Sequence, residues 1–253
     1  MKIVYWKLLL VIVVLCSSCE KELDEPNYSE IPIIELRNVK WVRIEEGNGS
    51  LVDIIQIEIG WQDGDGDLGM NAREVFTNTD FQPFHLVRDE HDRIQYFNST
   101  TDTFSCSKYI AASPDRPIEI DNDIIEDTVR VIHNKYRGNF HVAILYKRQG
   151  EFVEYDFLKE DCRTPIKGLF PPIDSLAHEK VTYDDGGPFV IYQESPWSGT
   201  ITFTVSSYLS NKIFSSNSLS QDTLKIRVQI NDRALHDSNI VESEPFTIEE
   251  TDW

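Results

Sequence analysis

Asp63, Asp65 and Asp67 stand at alternate positions in the run Asp63-Gly64-Asp65-Gly66-Asp67-Leu68-Gly69. Carboxylates this close repel one another in water. Glycines between them let the backbone curl, so their oxygens can converge on one hard cation. Calcium takes about six to eight oxygen ligands, and a helix-loop-helix calcium loop supplies them from its first, third, fifth, seventh and twelfth positions. Counting from Asp63 gives Asp65, Asp67, the carbonyl of Gly69 and Glu74. The pattern departs at the sixth position, where Leu68 replaces glycine, and the segment before Asp63 has the alternation of a strand. The expectation is therefore a calcium loop at the end of a β-strand. Magnesium is the second choice, and an ion-free acidic hairpin solvated by water is the plain alternative. Carboxylates without His or Cys do not suit zinc.

Cysteine offers a second chemistry. Lys2 and Lys7 flank a short apolar run, Leu8 to Leu15, and Ser17 and Ser18 lead into Cys19. That order reads as a signal peptide over residues 1–18 followed by a lipid-modified Cys19. Leu15 and Cys16 make a loose version of the cleavage motif, and an ordinary secretory signal is the alternative. Several acyl chains on one cysteine anchor a protein firmly to a membrane. Residues 19–31, with Glu20-Lys21-Glu22 and Asp24-Glu25, read as an acidic flexible tether. In an oxidising envelope Cys106 and Cys162 are expected to form a disulfide; two buried thiols are the alternative.

Catalytic signatures are missing from the sequence. The six histidines, His85, His91, His133, His141, His178 and His236, fall at no metal-ligand spacing. There is no HExxH, no Gly-x-Ser-x-Gly elbow and no phosphate-cradling glycine loop. With 43 acidic against 24 basic residues, the formal charge of −19 repels nucleic acid. A non-catalytic role presenting loops to a protein or glycan is expected, and a glycan-binding accessory of a polysaccharide-uptake system or a purely structural envelope protein is the alternative. Tyr192 and Trp197 are the candidates for stacking on a sugar, against the plainer reading that they pin a loop to the core.

The elements that position these residues are strands. Ile55, Ile57, Ile59 and Trp61 alternate with polar residues or glycine immediately before the acidic loop. Leu224 to Ile230 and Ile201 to Val205 repeat that period, and Phe140 to Tyr146 is apolar on both faces, as a covered central strand would be. A hairpin is expected from there through Glu151 to Phe157, with weaker strands at 32–37, 39–45, 83–88, 93–98, 129–133 and 244–249. Segments 99–127 and 170–198 read as long connections. Short strands separated by Gly, Pro, Asn and Asp predict an all-β, antiparallel sandwich. The Pro- and Gly-containing stretch from Arg163 to Pro172 suggests a boundary near 165, between a β-domain at 32–165 and a second β-rich unit at 166–253. One elaborated sandwich built from both halves is the alternative.

The strand entering Asp63–Gly69, the hairpin at His141–Phe157 and the closing Asp232-Arg233-Ala234-Leu235-His236-Asp237-Ser238-Asn239 together resemble a group of Bacteroidota outer-membrane lipoproteins. Those share a DGDGDLG loop and a D-R-A-x-x-x-S-N segment. The acidic residues after Cys19 likewise resemble the export signal of surface-exposed lipoproteins. The resemblance implies an immunoglobulin-like β-sandwich anchored in the outer membrane and exposed on the cell surface, and it implies no activity. It also implies that Asp232 and Asn239 lie at the same pole as the acidic loop and approach the same ion.

Overall fold

The structure is a computed structural model that describes residues 27–45, 51–70, 73–74, 78–120, 123–162, 166–169, 181–183, 187–195, 198–205 and 223–247. The signal segment, Cys19, most of the acidic tether and Trp197 lie outside the described residues.

The alternating run that ends at Trp61 folds as expected. It is part of β2 (Leu51–Gln62), which pairs along its whole length with β1 (Ile33–Glu45). The two weak strands expected at 32–37 and 39–45 are thus one strand, with a register shift between Leu36 and Asn38. The other edge of β2 pairs with β13 (Ser198–Val205), followed outward by β12 (Gly187–Ser195) and β11 (Val181–Tyr183). These five strands make the first sheet.

The second sheet is centred on β8 (Phe140–Arg148), the segment apolar on both faces. On one side β8 meets β14 (Leu224–Ile230), with β15 (Val241–Glu242) beyond. On its other side it meets β10 (Ile166–Gly168) near its start and β9 (Glu151–Glu154) near its end. Every pairing in both sheets is antiparallel.

The inner faces of the two sheets close one core. Ile55, Ile57, Ile59, Ile201 and Phe203 of the first meet Phe140, Val142, Ile144, Ile226 and Val228 of the second. The Phe140 and Phe203 rings touch across the interface, with centroids 4.7 Å apart. This is the expected antiparallel β-sandwich. The boundary near 165 cuts through both sheets, because each takes strands from residues 32–165 and from 166–253. One elaborated sandwich with a shared core is the arrangement the strand pairing gives.

A smaller unit is inserted between β2 and β8. It comprises β3 (Phe84–Leu86), β4 (Tyr109–Ile110), β5 (Ile118–Ile120), β6 (Asp123–Ile125) and β7 (Val129–His133). Leu86, Ile120, Ile125, Val129 and Val131 form its own hydrophobic cluster. The region 93–98 contributes only bridges at Ile94 and Tyr96 rather than a strand.

Other expectations are corrected. The hairpin does not continue to Phe157: Asp156 accepts from the Lys159 N–H and caps a short helix, α1 (Phe157–Asp161), which ends at Cys162 with φ 53°. Segment 170–198 is not a featureless connection, since β11 and β12 lie within it; Gly187 and Pro188 concealed the apolar run that follows them. Of the strand expected at 244–249, the described residues 244–247 contribute a bridge between Phe246 and Leu224, and the rest lies outside the described residues.

Candidate metal centre

At the end of β2 the alternation carries Trp61 into the core, and two residues later the same side receives Asp63. The Asp63 side chain is wholly buried, at 0 % exposure. Its Oδ2 accepts from the Leu68 N–H at 2.8 Å, which closes the loop on itself. Leu68 plugs into the main core, which explains why leucine occupies the position where a helix-loop-helix calcium site has glycine. The sharp turns are made at Gly66 (φ 70°) and Gly69 (φ 104°) instead. Gly64 is required for a different reason. Its N–H donates to the Ser29 carbonyl at 2.8 Å, and a Cβ there would stand 2.5 Å from the Tyr28 carbonyl oxygen.

The carboxylates of Asp63, Asp65 and Asp67 converge, each offering an oxygen within 4.8 Å of the others. Asp65 is exposed and accepts from the Asp67 N–H at 3.3 Å. Asp67 is half-buried, and its Oδ2 accepts from the Ala234 N–H at 3.2 Å. Two oxygens in this group, Oδ1 of Asp63 and Oδ1 of Asp67, are buried with no hydrogen-bond partner. Buried carboxylate oxygens without donors are costly, so such atoms suit a positively charged partner.

A fourth carboxylate stands behind these. Asp232 is fully buried, its Oδ1 accepting from the His236 N–H at 2.7 Å and its Oδ2 lying 2.9 Å from His236 Nδ1. The crowding raises the proton affinity of the group. Asp63 is pushed up to about 8, first by burial and then by the charges of Asp65 and Asp67, against the Leu68 N–H. Asp67 rises to about 6 through burial and the charges of Asp232 and Asp65. Asp232 is raised by burial while His236 pulls it down. A hard divalent cation fits this set: the donors are all oxygen, and its charge would offset both the burial and the repulsion.

The structure brings together part of the sequence-derived ligand set. Asp63, Asp65 and Asp67 meet; Gly69 is buried in the same loop. Glu74 is outside the converging group, and its Oε2 lies 3.5 Å from Arg233 Nη2. Asp232 does approach the acidic loop. Asn239 does not serve it: its side-chain amide brackets Ile34, accepting from that N–H and donating to that carbonyl, each at 2.8 Å. The hold of Ala234 on Asp67 was invisible in the sequence because no local spacing reports a contact between segments so far apart.

Cys106 and Cys162 are bonded, with Cα atoms 5.1 Å apart, and tie the inserted unit to the end of α1. Tyr192 falls within β12 opposite Thr200. Of the histidines, His133 Nε2 lies 3.0 Å from the Cys106 carbonyl and His141 Nε2 2.6 Å from Asn231 Oδ1. Among the described residues, no helix is long and apolar enough to cross a membrane. Comparison with family models, curated proteins and solved structures finds no match for this chain.

Proposed function

We propose that this chain is a non-catalytic, lipid-anchored protein of the outer membrane, exposed on the cell surface. One calcium ion stiffens its β-sandwich, whose loops are presented to a protein or glycan partner. The observation that carries the reading is the buried Asp63 carboxylate, whose Oδ1 lacks any donor beside Asp65 and Asp67. Asp63, Asp65 and Asp67 are the side-chain ligands, and Asp232 adds negative potential from behind. The Gly69 carbonyl completes the loop's share. Glu74 stands apart from this set while it pairs with Arg233.

The ion's role follows from where the loop sits. Gly64 is held by Ser29, which precedes β1, and Asp67 is held by Ala234, which follows β14. Neutralising the loop would therefore fix three distant stretches of chain at one end of the sandwich. The lipid rests on Cys19 and the apolar run before it, and the surface location rests on the acidic residues after it.

Calorimetric titration of the chelator-stripped full chain in detergent tests the metal. One calcium per chain is expected, with binding abolished in Asp63→Ala and weakened in Asp65→Ala. Absence of binding, or equal binding by Asp63→Ala, overturns the reading. Metabolic labelling with palmitate tests the anchor: label should enter the wild type and be lost in Cys19→Ala.

A further inference from the structure

A chain with 43 acidic and 24 basic residues nevertheless lines one recess with cations. The recess is a cavity of about 420 Å³ on the second sheet, on the face turned away from the core. Its floor is a row across three strands. Lys167 on β10 pairs with His141 on β8, which pairs in turn with Gln229 on β14. One step along, Ala143 pairs with Arg227. Lys135 and Arg137, from the connection between β7 and β8, close one side, and Leu158 of α1 and Ile240 supply apolar wall.

The charges here are unequally matched. Arg227 is held by Glu154 at 3.2 Å and Glu242 at 2.9 Å, and Lys135 by Asp237 at 2.7 Å. Lys167 has no carboxylate partner among the described residues. Its Nζ donates to the Asn134 carbonyl at 3.1 Å and to the Lys135 carbonyl. An ammonium carries three N–H donors, so one is left over. Burial, with the charges of Arg137 and Lys135, brings Lys167 down to about 8. His141 is held down to about 4 by burial and by Lys167. Both falls come from burial and neighbouring cations; at His141 the hydrogen bond to Asn231 and the charge of Asp237 oppose the fall without cancelling it.

We propose that this cleft binds a small organic oxyanion, its charged group at Lys167 between Arg137 and Lys135 and its carbon body against Ala143, Leu158 and Ile240. None of the acidic-loop residues lines this cleft.

Benzoate and phenyl phosphate carry the same apolar body on different oxyanions, and inorganic phosphate carries none. The full chain in detergent is titrated with each by calorimetry, while the His141 ring is followed by NMR and identified by its loss in His141→Gln. At least one organic anion should bind saturably and more tightly than inorganic phosphate. Whichever of the two binds better assigns a carboxylate or a phosphate ligand. Binding should move the His141 resonance and raise the pH at which it titrates. Lys167→Gln should weaken binding by roughly tenfold or more, as expected for one lost charge-assisted hydrogen bond. Lys167→Arg should retain part of the affinity, and Lys108→Gln, an exposed lysine of the inserted unit, should change nothing. No saturable binding by any of the three, or equal binding by Lys167→Gln, overturns the proposal. If Lys167→Gln does not fold, the wild type decides: saturable binding that leaves the His141 resonance unmoved places the anion elsewhere and overturns it too.

Discussion

Asp63 has no exposed surface, and one of its oxygens has no donor, so in the absence of a cation its charge is a liability to the fold. Asp63→Asn keeps the volume and can still accept from the Leu68 N–H, but it removes the charge. The variant should therefore be at least as stable as the wild type under chelation and should gain nothing from calcium. Chemical unfolding with and without chelator reads both halves of that statement. Gly64→Ala should act through sterics instead. Its Cβ would meet the backbone carbonyls of Tyr28 and Ser29, which cannot swing aside as a flexible side chain would. A loss of about 1–3 kcal/mol in urea unfolding is expected. The aspartate triplet was legible because alternate spacing in a glycine-rich run constrains the backbone directly. Glu74 was not, because Arg233 competes for it from a distant segment that no spacing rule sees.

Among the elements, β2 and β8 could be read from the sequence because a single period or a continuous apolar run dominates each. β12 could not, since Gly187 and Pro188 interrupt its signal, and α1 is too short to show a stripe. The start of β1 depends on Asn239, whose amide makes both hydrogen bonds to Ile34 that a neighbouring strand would otherwise make. Asn239→Ala should cost roughly 2 kcal/mol in unfolding free energy, as two part-buried backbone groups lose their partner. The second sheet should also carry a pH dependence through His141. Its folded pKa of about 4 lies below the ordinary 6.5, so above about 6.5 the ring is neutral in both states and the contribution is whole. As pH falls from about 6.5 toward 4 the unfolded chain takes the proton first, and up to about 3 kcal/mol of stability is lost. His141→Gln should flatten that part of the pH–stability curve.

At the scale of the molecule, the described residues form a sandwich whose two sheets both draw on the two halves of the chain, with an inserted unit tied back by Cys106–Cys162. Composition made the β-class legible. It could not reveal the shared core, because the pairing of β2 with β13 and of β8 with β14 is long-range and leaves no local trace. The disulfide spans a sequence separation of 56, and on the chain-entropy account its removal should cost about 4 kcal/mol. Double replacement of Cys106 and Cys162 by Ala, followed by thermal unfolding, checks that figure. If calcium completes the acidic loop, the thermal midpoint of the full chain must differ between saturating calcium and chelator. A ligand held only by the folded state, at a hundredfold excess over its Kd, adds about 2.7 kcal/mol, or roughly 5–10 °C for a protein of this size. A rise of that order is expected in the wild type and none in Asp63→Asn. An unchanged wild-type midpoint, or an equal rise in Asp63→Asn, would mean that the loop holds no calcium through Asp63.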